Sequence, residues 1–330
     1  MHICLVMAGD EEGGLEKHVV ELAIGLQERG HLITVIAHEK YHERLTQVNF
    51  VAVDLSKSRR NISILYQLYK TIKVLNPDII HVHGSKAAAM VNPLLPFLHL
   101  KSVATLHSRK KNTKMFKHFN AVIAVSPNAA EVLDHPHKHI VLNGIKPPVL
   151  DVNISKHEPT VVLAVGRLVP VKGFDVLIEA WKGIENAELW IVGDGFEQEK
   201  LQGLITQFNL KNSVKLLGFR SDIPELMQQA SLYVMSSHYE GCPYTMIEAL
   251  LCRVPMLSTA VGAMTMLLPP QYLCREGDAS ALHQLMSQAL QSLESLQHDY
   301  QPVFEYAQKE LVLTGMLSNI ESVYQEVLNG

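Results

Sequence analysis

Short apolar runs alternate along the first half of the chain with segments whose apolar residues recur at helical spacing. The runs predict seven strands, at residues 2–7, 32–37, 50–53, 79–82, 102–105, 121–125 and 140–142. The helical period predicts helices between them, at residues 16–28, 62–75, 87–95 and 129–133. Strands that are joined through helices in this way form a parallel sheet with right-handed crossovers.

The pattern ends at residues 148–159, a segment rich in proline and polar residues that we predict to be a linker. Beyond the linker the same signals predict strands at residues 160–165, 188–192, 214–217, 232–235 and 255–258, and helices at 175–181, 198–208, 223–229, 245–252 and 281–291. The last segment, 302–328, is predicted to be one long amphipathic helix or a broken pair.

The predicted class is therefore α/β, with two doubly wound, Rossmann-like parallel-sheet domains at residues 1–147 and 160–302. In open sheets of this kind ligands bind outside the carboxyl ends of the strands. We expect the two domains to face a central cleft that holds the ligand.

Charge is divided unevenly between the halves of the 330-residue chain. Residues 1–150 carry 18 basic and 12 acidic side chains, a net charge of +6, whereas residues 151–330 carry 11 and 21, a net charge of −10. The basic half favours an anionic partner. Nucleic acid is not expected, because aromatic residues are sparse and no nucleic-acid-binding signature is present.

Neither a signal peptide nor a membrane-spanning segment is predicted. The chain begins directly with a predicted strand and has no basic n-region or cleavage site, and it contains no run of 18 apolar residues. We therefore expect a cytoplasmic protein whose four cysteines are reduced.

The stretch 236–259 combines two carboxylates with the start of a helix. Glu240 lies on the loop after a predicted strand, and Glu248 lies in the first turn of the next helix. The connecting residues are Gly241, Cys242, Pro243, Tyr244 and Thr245. A helix N-terminus attracts an anion, while carboxylates accept hydrogen bonds from hydroxyls, so the pair indicates a site for a phosphorylated sugar or nucleotide sugar. The alternative is structural, because residues 245–248 also fit a capping box.

A second group of candidate residues follows the first strand of the second half. Arg167 and Lys172 are five residues apart on one loop, where a planar guanidinium and a movable ammonium can both reach one diphosphate. Gly195 and Phe219 follow the next two strands, and the backbone near Phe219 could face a base edge. The alternatives are solvated cations and plain turns.

Glycines and histidines mark the strand ends of the first half. Gly13 and Gly14 open the first helix, where the backbone can approach a ligand. His107 follows a strand, which favours a hydrogen-bonding or acid–base role, although a buried structural histidine fits equally. His81 and His83 form a His-x-His pair, but we expect no metal there, because alternating strand residues face opposite sides and no third ligand has suitable spacing.

The most basic stretch spans residues 108–119. Its cations are Arg109, Lys110, Lys111, Lys114 and Lys117. They accompany Met115, Phe116 and Phe119, so a helix here would present a cationic surface with apolar anchors to an anionic membrane or acceptor. The alternative is a solvated charge run with a few core contacts.

Taken together, these motifs resemble the GT-B glycosyltransferases of family 4 over nearly the whole chain. The matching segments, in order, are Gly13-Gly-Leu-Glu16, Thr105-Leu-His107, Val125-Ser126, Leu142-Asn-Gly-Ile145, Val165-Gly-Arg167 with Lys172-Gly173, Val192-Gly-Asp-Gly195, Leu217-Gly-Phe219, and Glu240 with Glu248. One departure follows the strand 255–258, where the family often has Gly-Gly-x-x-Glu and this chain has Ala-Val-Gly-Ala.

The resemblance implies a retaining, metal-independent transfer of a sugar from a nucleotide diphosphate, and a terminal helix at 303–330 that crosses back to the first domain. By position, Arg167 and Lys172 would hold the diphosphate and stabilise the leaving group. Glu248 would bind the ribose, while Glu240 and the backbone of 241–245 would hold the donor sugar. Backbone near Phe219 would bind the base, Gly14 would admit the donor phosphate, and His107 would contact the reacting sugar.

The expected enzyme transfers a hexose or N-acetylhexosamine, with a UDP-sugar as the preferred donor, to a saccharide or lipid-linked acceptor in surface polysaccharide or lipopolysaccharide synthesis. It needs no cofactor and attaches peripherally to the inner face of the plasma membrane through its basic domain. The alternatives are another enzyme of this fold, such as a nucleotide-sugar epimerase or a phosphorylase, and a non-catalytic nucleotide-sugar-binding subunit.

Overall fold

The computed structural model describes residues 1–10, 13–151 and 153–330. These residues form two compact domains, one comprising Met1–Gly144 with Val312–Gly330 and the other comprising Ile145–Leu311. The chain therefore enters the second domain once and returns to the first with its last residues.

The first domain is built on a seven-stranded parallel sheet. Its strands are β1 (His2–Met7), β2 (Leu32–Ala37), β3 (Asn49–Ala52), β4 (Ile79–His83), β5 (Lys101–Leu106), β6 (Ala121–Ala124) and β7 (Lys138–Ile140). The order across the sheet is β3-β2-β1-β4-β5-β6-β7. Most strands are continuous apolar runs because helices cover both faces of a parallel sheet. The order reverses between β1 and β4, which makes their carboxyl ends the expected ligand position.

The helices of the first domain are α1 (Gly14–Glu28), α2 (Ile62–Leu75), α3 (Gly84–Val91), α4 (Leu95–Leu98) and α5 (Pro127–Glu131). Asn61 caps α2 by accepting a hydrogen bond from the backbone N–H of Ile64, and Asn76 ends the helix in a left-handed conformation. Two short 3-10 helices, at Glu39–Leu45 and Lys114–Phe116, complete the domain.

The second domain contains a six-stranded parallel sheet. Its strands are β8 (Thr160–Val165), β9 (Ala187–Val192), β10 (Val214–Leu216), β11 (Leu232–Met235), β12 (Met256–Thr259) and β13 (Leu273–Cys274). The order is β10-β9-β8-β11-β12-β13, so the reversal lies between β8 and β11. The helices are α6 (Phe174–Ala180), α7 (Gln198–Gln207), α8 (Ile223–Gln229), α9 (Tyr244–Leu251), α10 (Met264–Leu267), α11 (Ala279–Gln291), α12 (Leu293–Asp299) and α13 (Gln301–Glu310).

The two parallel sheets predicted from the apolar runs are confirmed, and most strand boundaries agree within two residues. The predicted helix at 87–95 is instead a pair, α3 and α4. The structure adds α10, α12 and β13, which carry weak periodic signals because they are short.

The terminal segment is a broken pair, one of the two forms allowed by the sequence. Helix α13 belongs to the second domain, and only α14 (Leu313–Asn329) packs in the first. The chain passes between domains at 144–145 and 311–312, whereas the sequence analysis drew the corresponding boundaries at 147 and 302–303.

Helix α14 completes the core on one face of the first sheet. Its buried residues include Met316, Leu317 and Ile320, which join the core cluster formed by α1 and the strands. A Cβ added at Gly25 of α1 would lie 2.6 Å from Leu317 Cδ1. The small residue therefore lets the two helices approach closely, and the last turns of the chain are part of the first domain's core.

Replacing Leu317 by alanine should lower the stability of the first domain by about 2–5 kcal/mol, because Leu317 is 2% exposed and its removal leaves a cavity. The measurement is chemical denaturation followed by far-UV circular dichroism, since both tryptophans, Trp181 and Trp190, report on the second domain. Val74→Ala is the matched control, because Val74 is 85% exposed. Equal effects of the two substitutions would contradict the packing role given to α14.

Candidate functional site

The point of strand reversal in the second sheet brings two sequence-predicted loops together. The loop after β8 carries Arg167 and Lys172, and the loop after β11 carries Glu240. Because β8 and β11 are hydrogen-bonded neighbours in a parallel sheet, both loops leave the same edge. Lys172 and Glu240, which the sequence analysis assigned to the same site, are in direct contact.

Lys172 and Glu240 form an ion pair in which the ammonium Nζ donates to the carboxylate Oε1 at 2.6 Å. The hydroxyl of Ser237 donates to the same oxygen at 2.9 Å. The two charged side chains are only 19% and 12% exposed. The carboxylate of Glu240 thus accepts hydrogen bonds from a cation on the neighbouring loop and from a hydroxyl on its own loop. The sequence analysis did not single out Ser237, although its position shortly after the buried strand β11 was visible in the sequence.

Two glycines fix how these loops approach each other. Gly173 has φ +62°, and a Cβ there would lie 2.3 Å from the carbonyl oxygen of Ser236. Gly262 has φ +58°, and a Cβ there would lie 2.2 Å from the carbonyl oxygen of Gly241. The N–H of Ala263 donates to that same Gly241 oxygen at 2.7 Å. The Ala-Val-Gly-Ala segment that departs from the family pattern therefore still packs closely on the Glu240 loop, and Gly262 was not singled out from sequence.

Gly195 and Phe219 border the same edge of the sheet. A Cβ at Gly195 would lie 2.3 Å from the carbonyl oxygen of Leu168, and the N–H of Leu168 donates to Asp194 O at 2.6 Å. The loops after β8 and β9 are therefore packed backbone against backbone. Arg167 is exposed, and Phe219 is 74% exposed on the loop after β10. Both side chains are accessible to a ligand.

The capping-box interpretation of residues 245–248 is wrong. Helix α9 begins at Tyr244, and its N-cap is Pro243, whose side chain has no acceptor for a capping hydrogen bond. Thr245 consequently lies inside the first turn, and Glu248 lies in the second turn rather than the first. Pro243, Tyr244, Thr245 and Glu248 are partly exposed, whereas Cys242 is buried. Glu248 is thus not explained by helix capping.

The first domain has its own polar group at the point where strand order reverses. His83 ends β4, His107 follows β5, and His18 lies on α1. The three imidazole ring centroids are 4.8–5.6 Å apart. His107 is therefore at the strand end where it was expected, and His18 is a member that the sequence analysis missed because it was hidden in a helical pattern.

The expectation that His81 and His83 face opposite sides is wrong. Residues two apart on a strand share a face, and the two rings lie 4.1 Å apart. His81 is hydrogen-bonded on both nitrogens, to the hydroxyl of Tyr324 at 2.6 Å and to that of Thr105 at 2.7 Å. Two further histidines approach His83, since one nitrogen from each of His18, His83 and His107 lies within 4.8 Å of the others.

Burial keeps this histidine group uncharged. It lowers the pKa of His18 to about 4, although the hydrogen bond to Asn143 opposes the shift. It also lowers the pKa values of His81, His83 and His107 well below the ordinary value, and repulsion from the neighbouring histidines adds to the effect. All four rings are therefore neutral hydrogen-bonding or ligand groups at pH 7.

The basic stretch is not a helix with free apolar anchors. It contains one short 3-10 turn, Lys114–Phe116, and Phe116 and Phe119 are 1% and 3% exposed inside the core of the first domain. Met115 packs against the same core. The cations Arg109, Lys110, Lys111, Lys114 and Lys117 are all exposed. What remains is a cationic surface.

Gly14 is the first residue of α1 and is exposed, in agreement with the predicted helix start. The two glutamates before Gly13 lie outside the described residues. Among the residues that are described, no helix is both long and apolar enough to cross a membrane.

Two family models match consecutive parts of the chain. The model for glycosyltransferase family 4 matches residues 12–147, and the model for glycosyl transferases group 1 matches residues 150–302. Together they cover most of both domains and leave residues 1–11, 148–149 and 303–330 unmatched, and the architecture is that of the GT-B fold. The chain belongs to the family 4 glycosyltransferases and is a glycosyltransferase of this fold.

Individual relatives agree with that assignment. An uncharacterized glycosyltransferase of Methanocaldococcus jannaschii is 28% identical over 276 residues, 76% of each chain. The lipopolysaccharide core biosynthesis glycosyltransferase LpsD of Rhizobium meliloti is 25% identical over 244 residues, 69% of this chain and 70% of its own. The crystal structure of HepE from Anabaena in complex with UDP has a TM-score of 0.84 at 20% identity, over 99% of this chain and 100% of that chain.

Lowering the pH should destabilise the first domain through its histidine group. When folding lowers the pKa of a histidine, the unfolded chain binds more protons than the folded protein below about pH 6.5. The free energy of unfolding is therefore unaffected above that pH and falls as the pH drops towards the pKa of the folded state. Each such histidine contributes a slope of about 1.4 kcal/mol per pH unit in this window. We expect the midpoint temperature of unfolding to fall steeply between pH 6.5 and pH 4.5.

The dependence of stability on pH should be weaker in His18→Gln, because this substitution removes a group whose pKa is about 4. The control is His42→Gln, since the side chain of His42 is 56% exposed. Circular dichroism across the pH series measures both variants against the unaltered protein. The same slope in all three proteins would contradict the buried, neutral state of His18.

Proposed function

We propose that the protein is a retaining, metal-independent glycosyltransferase that transfers a hexose or N-acetylhexosamine from a UDP-sugar. The proposed acceptor is a saccharide or lipid-linked saccharide in lipopolysaccharide or surface polysaccharide synthesis. The observation that carries the donor site is the Lys172–Glu240 ion pair at the strand reversal of the second sheet. LpsD is a lipopolysaccharide core enzyme by name, and HepE has been crystallised with UDP and with UDP-glucose.

The ion pair suggests how the site accommodates an anionic donor. A diphosphate attracts the ammonium of Lys172 and the guanidinium of Arg167, while sugar hydroxyls donate to Glu240. Donor binding would therefore exchange the Lys172–Glu240 contact for two contacts with the ligand, with Ser237 still holding the carboxylate. The pair is mostly buried, so each of its charges needs a compensating partner. The exchange supplies one, the diphosphate for Lys172 and the sugar hydroxyls for Glu240.

We assign the remaining donor contacts from the family resemblance. The backbone of Gly241, Cys242, Pro243, Tyr244 and Thr245 lies beside Glu240 and supports the sugar, and Glu248 on α9 accepts from the ribose hydroxyls. Backbone at Phe219 binds the base. By the same resemblance, Gly14 would admit the donor phosphate, and His107, a neutral imidazole, would contact the reacting sugar.

In the proposed transfer, the bond between the anomeric carbon and the diphosphate oxygen breaks while the acceptor hydroxyl oxygen bonds to the same face of that carbon. The acceptor proton passes to the departing phosphate. Lys172 and Arg167 stabilise the charge that grows on the leaving UDP, which makes this step independent of a metal ion.

Membrane attachment is proposed to be electrostatic. The exposed cations at 109–117 attract anionic lipid headgroups, while the neighbouring phenylalanines stay in the core. The enzyme would then be cytoplasmic and bind peripherally to the inner face of the plasma membrane.

The donor assignment is tested by thermal stabilisation with UDP, GDP, UDP-glucose and UDP-N-acetylglucosamine in EDTA. A ligand that binds only the folded protein raises its stability by mass action, so UDP and a UDP-sugar should raise the unfolding temperature without metal. Lys172→Ala should abolish most of that shift and lower transfer by about a hundredfold or more, because it removes one stabilising charge at the leaving group.

Lys211→Ala is the control, since it removes an exposed lysine from the same domain. A UDP shift that is unchanged in Lys172→Ala would remove Lys172 from the donor site. A shift that requires divalent metal would overturn metal independence, and no shift with any nucleotide would favour a non-catalytic relative.

Replacing Arg109, Lys110 and Lys111 by glutamine should weaken binding to vesicles that contain anionic phospholipid by at least tenfold. The reason is that each cation near the membrane surface contributes about 1 kcal/mol to the binding free energy. Nucleotide binding should not change. The control exchanges Lys182, Lys211 and Lys309, which removes the same charge from the second domain. Equal vesicle binding by the two triple variants would contradict the docking surface.

A further inference from the structure

Three buried or partly buried imidazoles converge at the strand reversal of the first sheet. His18 and His83 are 2% and 1% exposed, and His107 is partly exposed. One nitrogen from each lies within 4.8 Å of the other two. They come from α1, from the end of β4 and from the loop after β5, so regular elements hold the rings of His18 and His83.

Two nitrogens of this group lack protein partners. Among the described residues, Nε2 of His18 and Nε2 of His83 are buried without a hydrogen bond. The other nitrogen of His18, Nδ1, donates to Asn143 Oδ1 at 3.0 Å, which leaves the lone pair on Nε2. A buried polar atom without a partner costs about 1–3 kcal/mol unless a ligand satisfies it. The arrangement therefore favours an electrophilic occupant.

The surroundings also favour neutral rings with fixed orientation. Burial lowers the pKa values of all three histidines, so no proton has to be displaced at pH 7 before a metal binds. Hydrogen bonds to Tyr324 and Thr105 fix the ring of His81, and its centroid lies 4.1 Å from that of His83. Asn143 orients His18 as carbonyl oxygens orient metal-binding histidines elsewhere.

We propose that His18, His83 and His107 form a three-histidine site for a first-row transition-metal dication of the Zn²⁺ class, with Asn143 as a positioning residue. Three neutral imidazoles with an open fourth position are a common donor set for Zn²⁺. Tetrahedral coordination needs nitrogen–nitrogen separations of about 3.3 Å, so the rings must close by about 1.5 Å at the widest point.

Metal at this site would inhibit the enzyme rather than assist it. This consequence rests on the proposed function, in which His107 contacts the reacting sugar, because a bound ion would occupy that ring. The binding itself is independent of turnover, and it is therefore tested without substrate.

The first test uses the unaltered, tag-free protein after removal of metal with EDTA and desalting. Titration with Co²⁺ should give the visible absorption bands of a four-coordinate nitrogen site at one equivalent, and Zn²⁺ should abolish them. Calorimetric titration with Zn²⁺ should give the same stoichiometry. Absence of Co²⁺ bands together with absence of a stoichiometric Zn²⁺ site would overturn the proposal, whether or not UDP binds.

The second test compares His18→Gln with a control variant that combines His42→Gln and His118→Gln, two exposed histidines of the same domain. Loss of a ligand should weaken Zn²⁺ binding at least tenfold, and Asn143→Ala should weaken it by about 10–100-fold through the orientation of His18. The control should bind as the unaltered protein does. Weakening only in the control would assign the metal to surface histidines and overturn the site.

Discussion

Reversal of strand order in each parallel sheet is the constraint on which both polar groups of this protein depend. Neighbouring parallel strands end at the same edge, and where the order reverses their following loops diverge to opposite faces and leave room between them. The reversal between β8 and β11 lies beneath the Lys172–Glu240 pair, and that between β1 and β4 lies beside the histidine group. Lys172 and Glu240 follow β8 and β11, whereas the histidine group combines the end of β4 with α1 and the loop after β5.

The two groups differ in how they compensate burial. In the second domain, charges of opposite sign are paired, and Ser237 adds a hydrogen bond to the carboxylate. In the first domain, histidines remain neutral because burial lowers their pKa values, and two nitrogens are left for a ligand among the described residues. The ion pair is suited to exchange its partners for a charged sugar donor. The neutral imidazoles are suited to bind a metal ion or to accept a hydrogen bond from a hydroxyl.

Particular elements explain where sequence reasoning succeeded. Strands Thr160–Val165 and Leu232–Met235 were predicted to the residue, because buried parallel strands are continuous apolar runs bounded by polar residues. The helical interpretation of the basic stretch, with free apolar anchors, was wrong because its pattern does not reveal that Phe116 and Phe119 fill the core of their own domain. The alternative, a solvated charge run with a few core contacts, agrees with the structure. The capping-box prediction was wrong because the N-cap of α9 is Pro243, two residues before the expected cap Thr245. The local sequence allows either start.

The sequence by itself determined two α/β domains, their strand-end residues and the family resemblance, since all of these are local patterns. Only the tertiary structure decided which strand ends are neighbours. Lys172 and Glu240 are 68 residues apart, and His18 and Asn143 are 125 apart, yet each pair is in hydrogen-bond contact. Hydrophobic periodicity selects strands and helices, but it does not specify which strands pair, because pairing depends on packing over the whole domain.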